Sequence, residues 1–110
     1  MEYNKLLNDN KVTYVLEGEM DAEQTQELRN EFVRLSKAPE FSEVEIDLSF
    51  VTFIDSSGIG VIVFLFKQLR QHNVSMLLTG VNGQPLELIS LLRIDTVIDV
   101  HKADIKQHII

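Results

Sequence analysis

Two stretches of this chain alternate hydrophobic and polar positions with the period of a strand. Within residues 11–18, Val12, Tyr14 and Leu16 take one side against Thr13, Val15 and Glu17, directly after the turn cluster Asn8-Asp9-Asn10. Residues 3–7, before that cluster, read as a weaker hairpin partner. Further on, Val44, Ile46, Leu48 and Phe50 alternate with Glu45, Asp47 and Ser49. Between these strands the period lengthens. Ala22, Leu28, Phe32 and Leu35 recur at helical spacing, with Glu23, Glu27, Glu31 and Arg34 turned outward. Asp21 stands where this helix needs an N-cap, Gln24 follows at the capping-box spacing, and Pro39 is the stop.

In the second half, residues 51–55 lead into the turn Asp55-Ser56-Ser57-Gly58. A helix then runs through Lys67, Gln68 and Arg70 to about His72. Residues 74–79 predict a strand and 80–84 a loop, and Pro85 suits the first position of a short helix carrying Leu86, Leu88, Ile89, Leu91 and Leu92. A last strand over 96–100 and a short terminal helix over 101–110 complete the order β-β-α-β-α-β-α-β-(α). That order predicts a single α/β domain over residues 1–110, with a mostly parallel mixed sheet, an N-terminal hairpin and helices packed against it.

Composition narrows the functions this domain can have. The chain has 110 residues, 45% hydrophobic and 25% charged, and no cysteine, so disulfide, thiolate-metal and cysteine-nucleophile chemistry are excluded. No basic n-region followed by an apolar stretch opens it, and the apolar run 61–66 falls far short of the ~20 residues of a membrane span. A cytoplasmic protein without membrane insertion is expected. Residues 1–55 hold thirteen Asp/Glu against five Lys/Arg, so the whole net charge of −7 lies in the first half. Such a chain is repelled by phosphate backbones, which disfavours nucleic acid, while an acidic face can steer a basic protein partner.

Catalytic chemistry finds little footing. His72, His101 and His108 sit at a helix end and in the tail with no placed carboxylate, and no zinc-protease, nucleophile-elbow or Walker pattern occurs. Gly58-Ile59-Gly60 lacks the third glycine of a dinucleotide site, and nothing calls for a metal or cofactor. The turn from Asp55 to Gly60 is the informative piece. It places two hydroxyls where a strand gives way to a helix, and either Asp55 or Ser56 can cap that helix. Gly58 and Gly60 keep its first turn slim enough for another backbone to approach. The run Val61-Ile62-Val63-Phe64-Leu65-Phe66 behind it is apolar all round, so it is buried on two sides or leaves one side for a partner.

The stretch Asp47-Leu-Ser-Phe-Val-Thr-Phe-Ile-Asp-Ser-Ser-Gly-Ile-Gly60, with Leu16-Glu-Gly-Glu-Met-Asp21 before it, resembles the STAS domain of bacterial anti-sigma factor antagonists over essentially the whole chain. The resemblance implies a partner switch. The unphosphorylated protein would bind a serine kinase of the histidine-kinase-like ATPase type, itself an anti-sigma factor or similar regulator, and release that regulator's other partner. Phosphorylation at the first serine after the aspartate, Ser56, would end the complex, and a PP2C-type phosphatase would reset it. By the same resemblance Asp21, Asp55, Ser57, Gly58, Ile59 and Gly60 share the contact surface with Ser56. The sequence departs from the family where Leu92-Arg93-Ile94-Asp95-Thr96 replaces a small-residue turn, and Phe64 and Phe66 are bulkier than the pattern. Two other readings stay open. One is a non-switching STAS subunit, such as the partner of a lipid-transport ATPase, and the other a small enzyme or nucleotide-binding protein using the Ser/Gly turn as a phosphate cradle.

Overall fold

The computed structural model describes residues 1–37 and 40–103. Two strands, β1 (Glu2–Asn8) and β2 (Lys11–Met20), form the antiparallel hairpin, with Asn8 opposite Lys11 and Asp9 in the left-handed region at the tip. The chain continues through α1 (Gln26–Lys37), β3 (Glu43–Ile54), α2 (Ser56–Gln71), β4 (Ser75–Val81), α3 (Gly83–Leu91), a 3-10 turn (Ile94–Thr96) and β5 (Asp99–Lys102). Strands lie in the order β1-β2-β3-β4-β5, and every pair after the hairpin is parallel.

One face of this sheet is buried. Val12, Val44 and Met76 lie in register across it, as do Tyr14, Ile46 and Leu78, and all six are core residues. They meet Leu28 and Phe32 of α1, Ile62, Leu65 and Leu69 of α2, and Ile89 of α3 in one cluster. Consecutive parallel neighbours joined by right-handed crossovers put all three helices on the same side. The expected architecture is therefore present.

Several local expectations are corrected. Phe50 is 59% exposed, because the β2–β3 ladder shifts register twice, between Val15 and Glu17 and between Gly18 and Glu19. The bulged strand β3 gains residues relative to β2, its inward positions become Leu48, Val51 and Ile54, and the strand runs on to Ile54. Ala22 is exposed, while Glu31 turns inward to accept a 2.7 Å hydrogen bond from the Tyr14 hydroxyl. The last strand covers Asp99–Lys102 rather than 96–100, because Thr96 ends a 3-10 turn: Arg93 is left-handed (φ 58), and the Thr96 hydroxyl donates to its carbonyl at 2.6 Å. β4 extends to Val81 and α3 starts at Gly83, so Pro85 falls third in the first turn, where its missing N–H still costs nothing. His101 and Lys102 belong to β5, with His101 3.1 Å from the Asp99 carboxylate, in place of the terminal helix. Pro39, His108 and the rest of that helix lie outside the described residues.

Candidate functional site

α1 and α2 leave adjacent parallel strands, because Met20 and Ile54, the last residues of β2 and β3, are in register. Asp21 and Asp55 thus come side by side at the same end of the sheet. Asp55 is the cap of α2. Its Oδ1 accepts the N–H groups of Ser57 at 2.9 Å and Gly58 at 3.0 Å, two of the amides that lack intrahelical partners. The question of which residue caps is settled for the aspartate, and among the described residues neither serine hydroxyl makes a hydrogen bond. Ser56, first in the helix, is exposed, whereas Ser57 is half-buried.

Two further ties fix this turn to the body of the domain. The Asp55 N–H donates to the Met20 carbonyl at 3.2 Å, and Gly58 packs so closely that a Cβ would lie 2.5 Å from that same carbonyl oxygen. The second tie comes from Gln84 in the first turn of α3. Its Oε1 accepts the Ile54 N–H and its Nε2 donates to the Ile54 carbonyl, both at 2.9 Å. The β3–β4 ladder ends at Asp47 opposite Thr79, so Ile54 has no strand on that side. The amide of Gln84 stands in for the missing strand, satisfying both groups of a residue that is fully buried.

Beside the turn, the first halves of α1 and α2 enclose a groove of about 580 Å³. Ser57, Gly60 and Phe64 form its α2 wall and Gln26, Arg29 and Asn30 its α1 wall. The apolar run therefore resolves into two sides: Ile62 and Leu65 are fully buried, Val61 nearly so, and Phe64 faces the groove half-buried. Of the residues expected in one contact surface, Ser56, Ser57, Gly60, Asp21 and Asp55 do come together at this end. Ile59 (9% exposed) and Gly58 instead face the core, so neither presents a side chain for contact. Asp21 closes the turn before α1 by accepting the Gln24 N–H at 2.8 Å and is not the helix cap it was expected to be, since α1 starts only at Gln26. The Gln24 side chain turns to the Asp21 carboxylate at 3.1 Å rather than to its backbone, so the capping box does not form.

Sequence reasoning missed Gln84, Arg29 and Asn30. A glutamine in a loop carries no pattern of its own. Arg29 did carry a trace, as the one cation in the first half of a helix that also holds Glu27 and Glu31. Among the described residues no three His, Asp or Glu side chains gather as a metal would require, and no helix is long and apolar enough to cross a membrane.

A five-stranded sheet with its helices on one face, a hairpin at its start and a serine turn at the mouth of α2 define a small α/β domain of mixed sheet. The chain belongs to the STAS domain family, whose model matches residues 3–108. It is similar to the anti-sigma-B factor antagonist of Listeria monocytogenes, 29% identical over 87 residues that make up 79% of this chain and 75% of that one. It is also 28% identical over 93 residues to the anti-sigma-B factor antagonist of Bacillus subtilis, covering 84% of both chains. In fold it resembles the Bacillus cell fate determinant SpoIIAA in its phosphorylated form, with a TM-score of 0.73 over 90% of each chain and 14% identity.

Proposed function

We propose that this chain is an anti-sigma factor antagonist switched by phosphorylation at Ser56. Unphosphorylated, it binds a serine kinase of the histidine-kinase-like ATPase type that is also an anti-sigma factor or equivalent regulator, and it thereby frees that regulator's other partner. Phosphorylation ends the complex, and a PP2C-type phosphatase restores binding. The contact surface is the Ser56 turn, the opening of α2 and the Asp21 edge.

The observation that carries this reading is the division of labour at the turn. Asp55 caps α2 alone, so the exposed Ser56 hydroxyl is free for modification while the helix keeps its cap. Phosphate adds about −1.5 to −2 charge at pH 7. At the first residue of a 16-residue helix the macrodipole accommodates that charge, and the domain stays folded. A protein packed over the turn must instead desolvate a dianion beside Asp55 and Asp21. A 100-fold loss of affinity requires only about 2.7 kcal/mol, within the range of a buried unpaired charge. The curated relatives named as antagonists, and the phosphorylated form known for a protein of this fold, support the same reading.

Two substitutions test it side by side after a phosphosite map of the protein purified from its own cells. Ser56→Ala removes the hydroxyl without adding charge and should bind the kinase constitutively, at almost no cost in stability because it is not the cap. Ser56→Asp should fold normally and bind at least about tenfold more weakly, its single charge being roughly half that of the phosphate. Phosphate mapped chiefly to Ser57, or equal affinities for the two variants, overturns the switch.

A further inference from the structure

Gly60 has no reason to be glycine inside this chain. It is the fifth residue of α2, past the capped turn, and a Cβ built on it meets nothing within 4 Å. Gly58, two residues earlier, is the opposite case, since backbone and side-chain atoms of Met20 exclude any side chain there. In a helix interior glycine is among the poorest residues, so alanine at position 60 would strengthen α2. The space that Gly60 leaves empty opens into the α1–α2 groove.

The opposite wall carries an unmatched charge. Arg29 is exposed and, among the described residues, makes no ion pair, whereas Lys5, Lys11 and Arg34 each hold a glutamate. Its helical neighbours three and four positions away are Thr25, Gln26, Phe32 and Val33, none of them acidic. The groove therefore has an apolar wall at Gly60 and Phe64 with a backbone that can be approached closely, and a polar wall with one free cation.

Resting on the reading of the chain as a partner-binding antagonist, we propose that this groove seats an amphipathic α-helix of the partner protein. An apolar side chain of that helix packs over Gly60 beside Phe64, and an Asp or Glu on it meets Arg29. A missing Cβ lets two helix backbones approach, and a groove between two helices takes a third by its apolar face. Ser57 lines the same groove, so a helix seated there ends against the Ser56 turn, where a dianion would disturb it.

The test uses the full chain. Gly60→Ala should raise the thermal midpoint by about 3 °C and weaken the partner at least about tenfold. A photo-crosslinking residue placed at Gln26 or Asn30 in cells should trap a partner peptide with an acidic residue three or four positions from an apolar one. Arg29→Glu should weaken binding about tenfold, and reversing the trapped acid to lysine should restore it. The proposal is overturned by wild-type affinity in Gly60→Ala and Arg29→Glu, by a fall in the midpoint of Gly60→Ala, by no crosslink, or by crosslinks to a second copy of this chain. A trapped helix of the expected pattern on a protein that leaves Ser56 unmodified would keep the groove and sink the phosphorylation switch. A kinase that modifies Ser56 while ignoring both groove variants would do the reverse.

Discussion

α1 and α2 leave neighbouring strands, each behind an aspartate, yet they are fastened in opposite ways. Asp21 closes only a local loop with Gln24, and regular helix starts five residues on, at Gln26. The firm hold on α1 comes mid-helix. There Glu31 accepts from the buried Tyr14 hydroxyl at 2.7 Å, from Lys5 at 3.3 Å and from Arg34 at 3.0 Å. α2 begins at once behind Asp55, and its first turn is where the ties converge: the cap, the Gly58 contact with Met20, and the Gln84 clamp on Ile54. A helix anchored at its middle tolerates a soft beginning. One anchored at its beginning presents that beginning at a fixed height above the sheet, which suits the contact proposed for Ser56.

The largest expected effect breaks the α2 side of this contrast. Gly58→Ala pushes a Cβ to 2.5 Å from the Met20 carbonyl oxygen, a backbone atom that cannot swing aside. Moving α2 off the strand end should cost about 2–3 kcal/mol, read as a lower urea midpoint with an unchanged slope. A midpoint within experimental error of the parent would show that α2 is not seated there.

Next in size is the anchor of α1. Tyr14→Phe keeps the ring that packs edge-on against Phe32 but removes the donor to Glu31, and should cost about 1–2 kcal/mol at neutral pH. Burial pushes the Glu31 carboxyl up, but the hydrogen bonds from Tyr14, Arg34 and Lys5 outweigh it and hold the group below the ordinary carboxylate value. A depressed carboxylate contributes stability above its unfolded pKa, about 4.3, and loses it as pH falls through the folded value. Burial first, and Glu31 second, push the Tyr14 phenol up, so its contribution is lost as pH rises beyond about 10. The gap between parent and variant should therefore be widest near neutrality and narrow at both extremes. A gap independent of pH would mean that the hydroxyl contributes packing alone.

How much of this was legible beforehand follows from how local each interaction is. The alternation of Val12, Tyr14 and Leu16 and of Val44, Ile46 and Leu48 foretold the buried sheet face, because each strand buries its own pattern. The alternation misled at Phe50, where bulges written in the pairing of two strands move every later side chain. Asp55 was one of two possible caps, and only the geometry chose between it and Ser56. Gln84 acts 30 residues away on a backbone whose ladder partner has ended, and no spacing rule reaches that far. Likewise the two glycines looked alike in sequence, while the structure gives one a steric cause and the other none.

The smallest effect is also the most direct comparison of the two starts. Asp55→Ala leaves the N–H groups of Ser57 and Gly58 without their acceptor in a part-buried turn, and should cost about 1 kcal/mol. Asp21→Ala loses only bonds to Gln24 on an exposed loop, and its backbone carbonyl still accepts the Thr25 N–H at 3.1 Å, so about 0.5 kcal/mol is expected. Asn at either position retains a capping oxygen and should recover most of the loss, which separates the cap from the charge. Amide exchange supplies the local readout: in Asp55→Ala the Ser57 and Gly58 amides should exchange faster while those of α1 are unchanged. In Asp21→Ala the disturbance should stop at residues 22–25 and leave the Glu31 anchor untouched. Equal losses from the two alanines, or faster exchange throughout α1 in Asp21→Ala, would mean that both helices depend on their first turns alike.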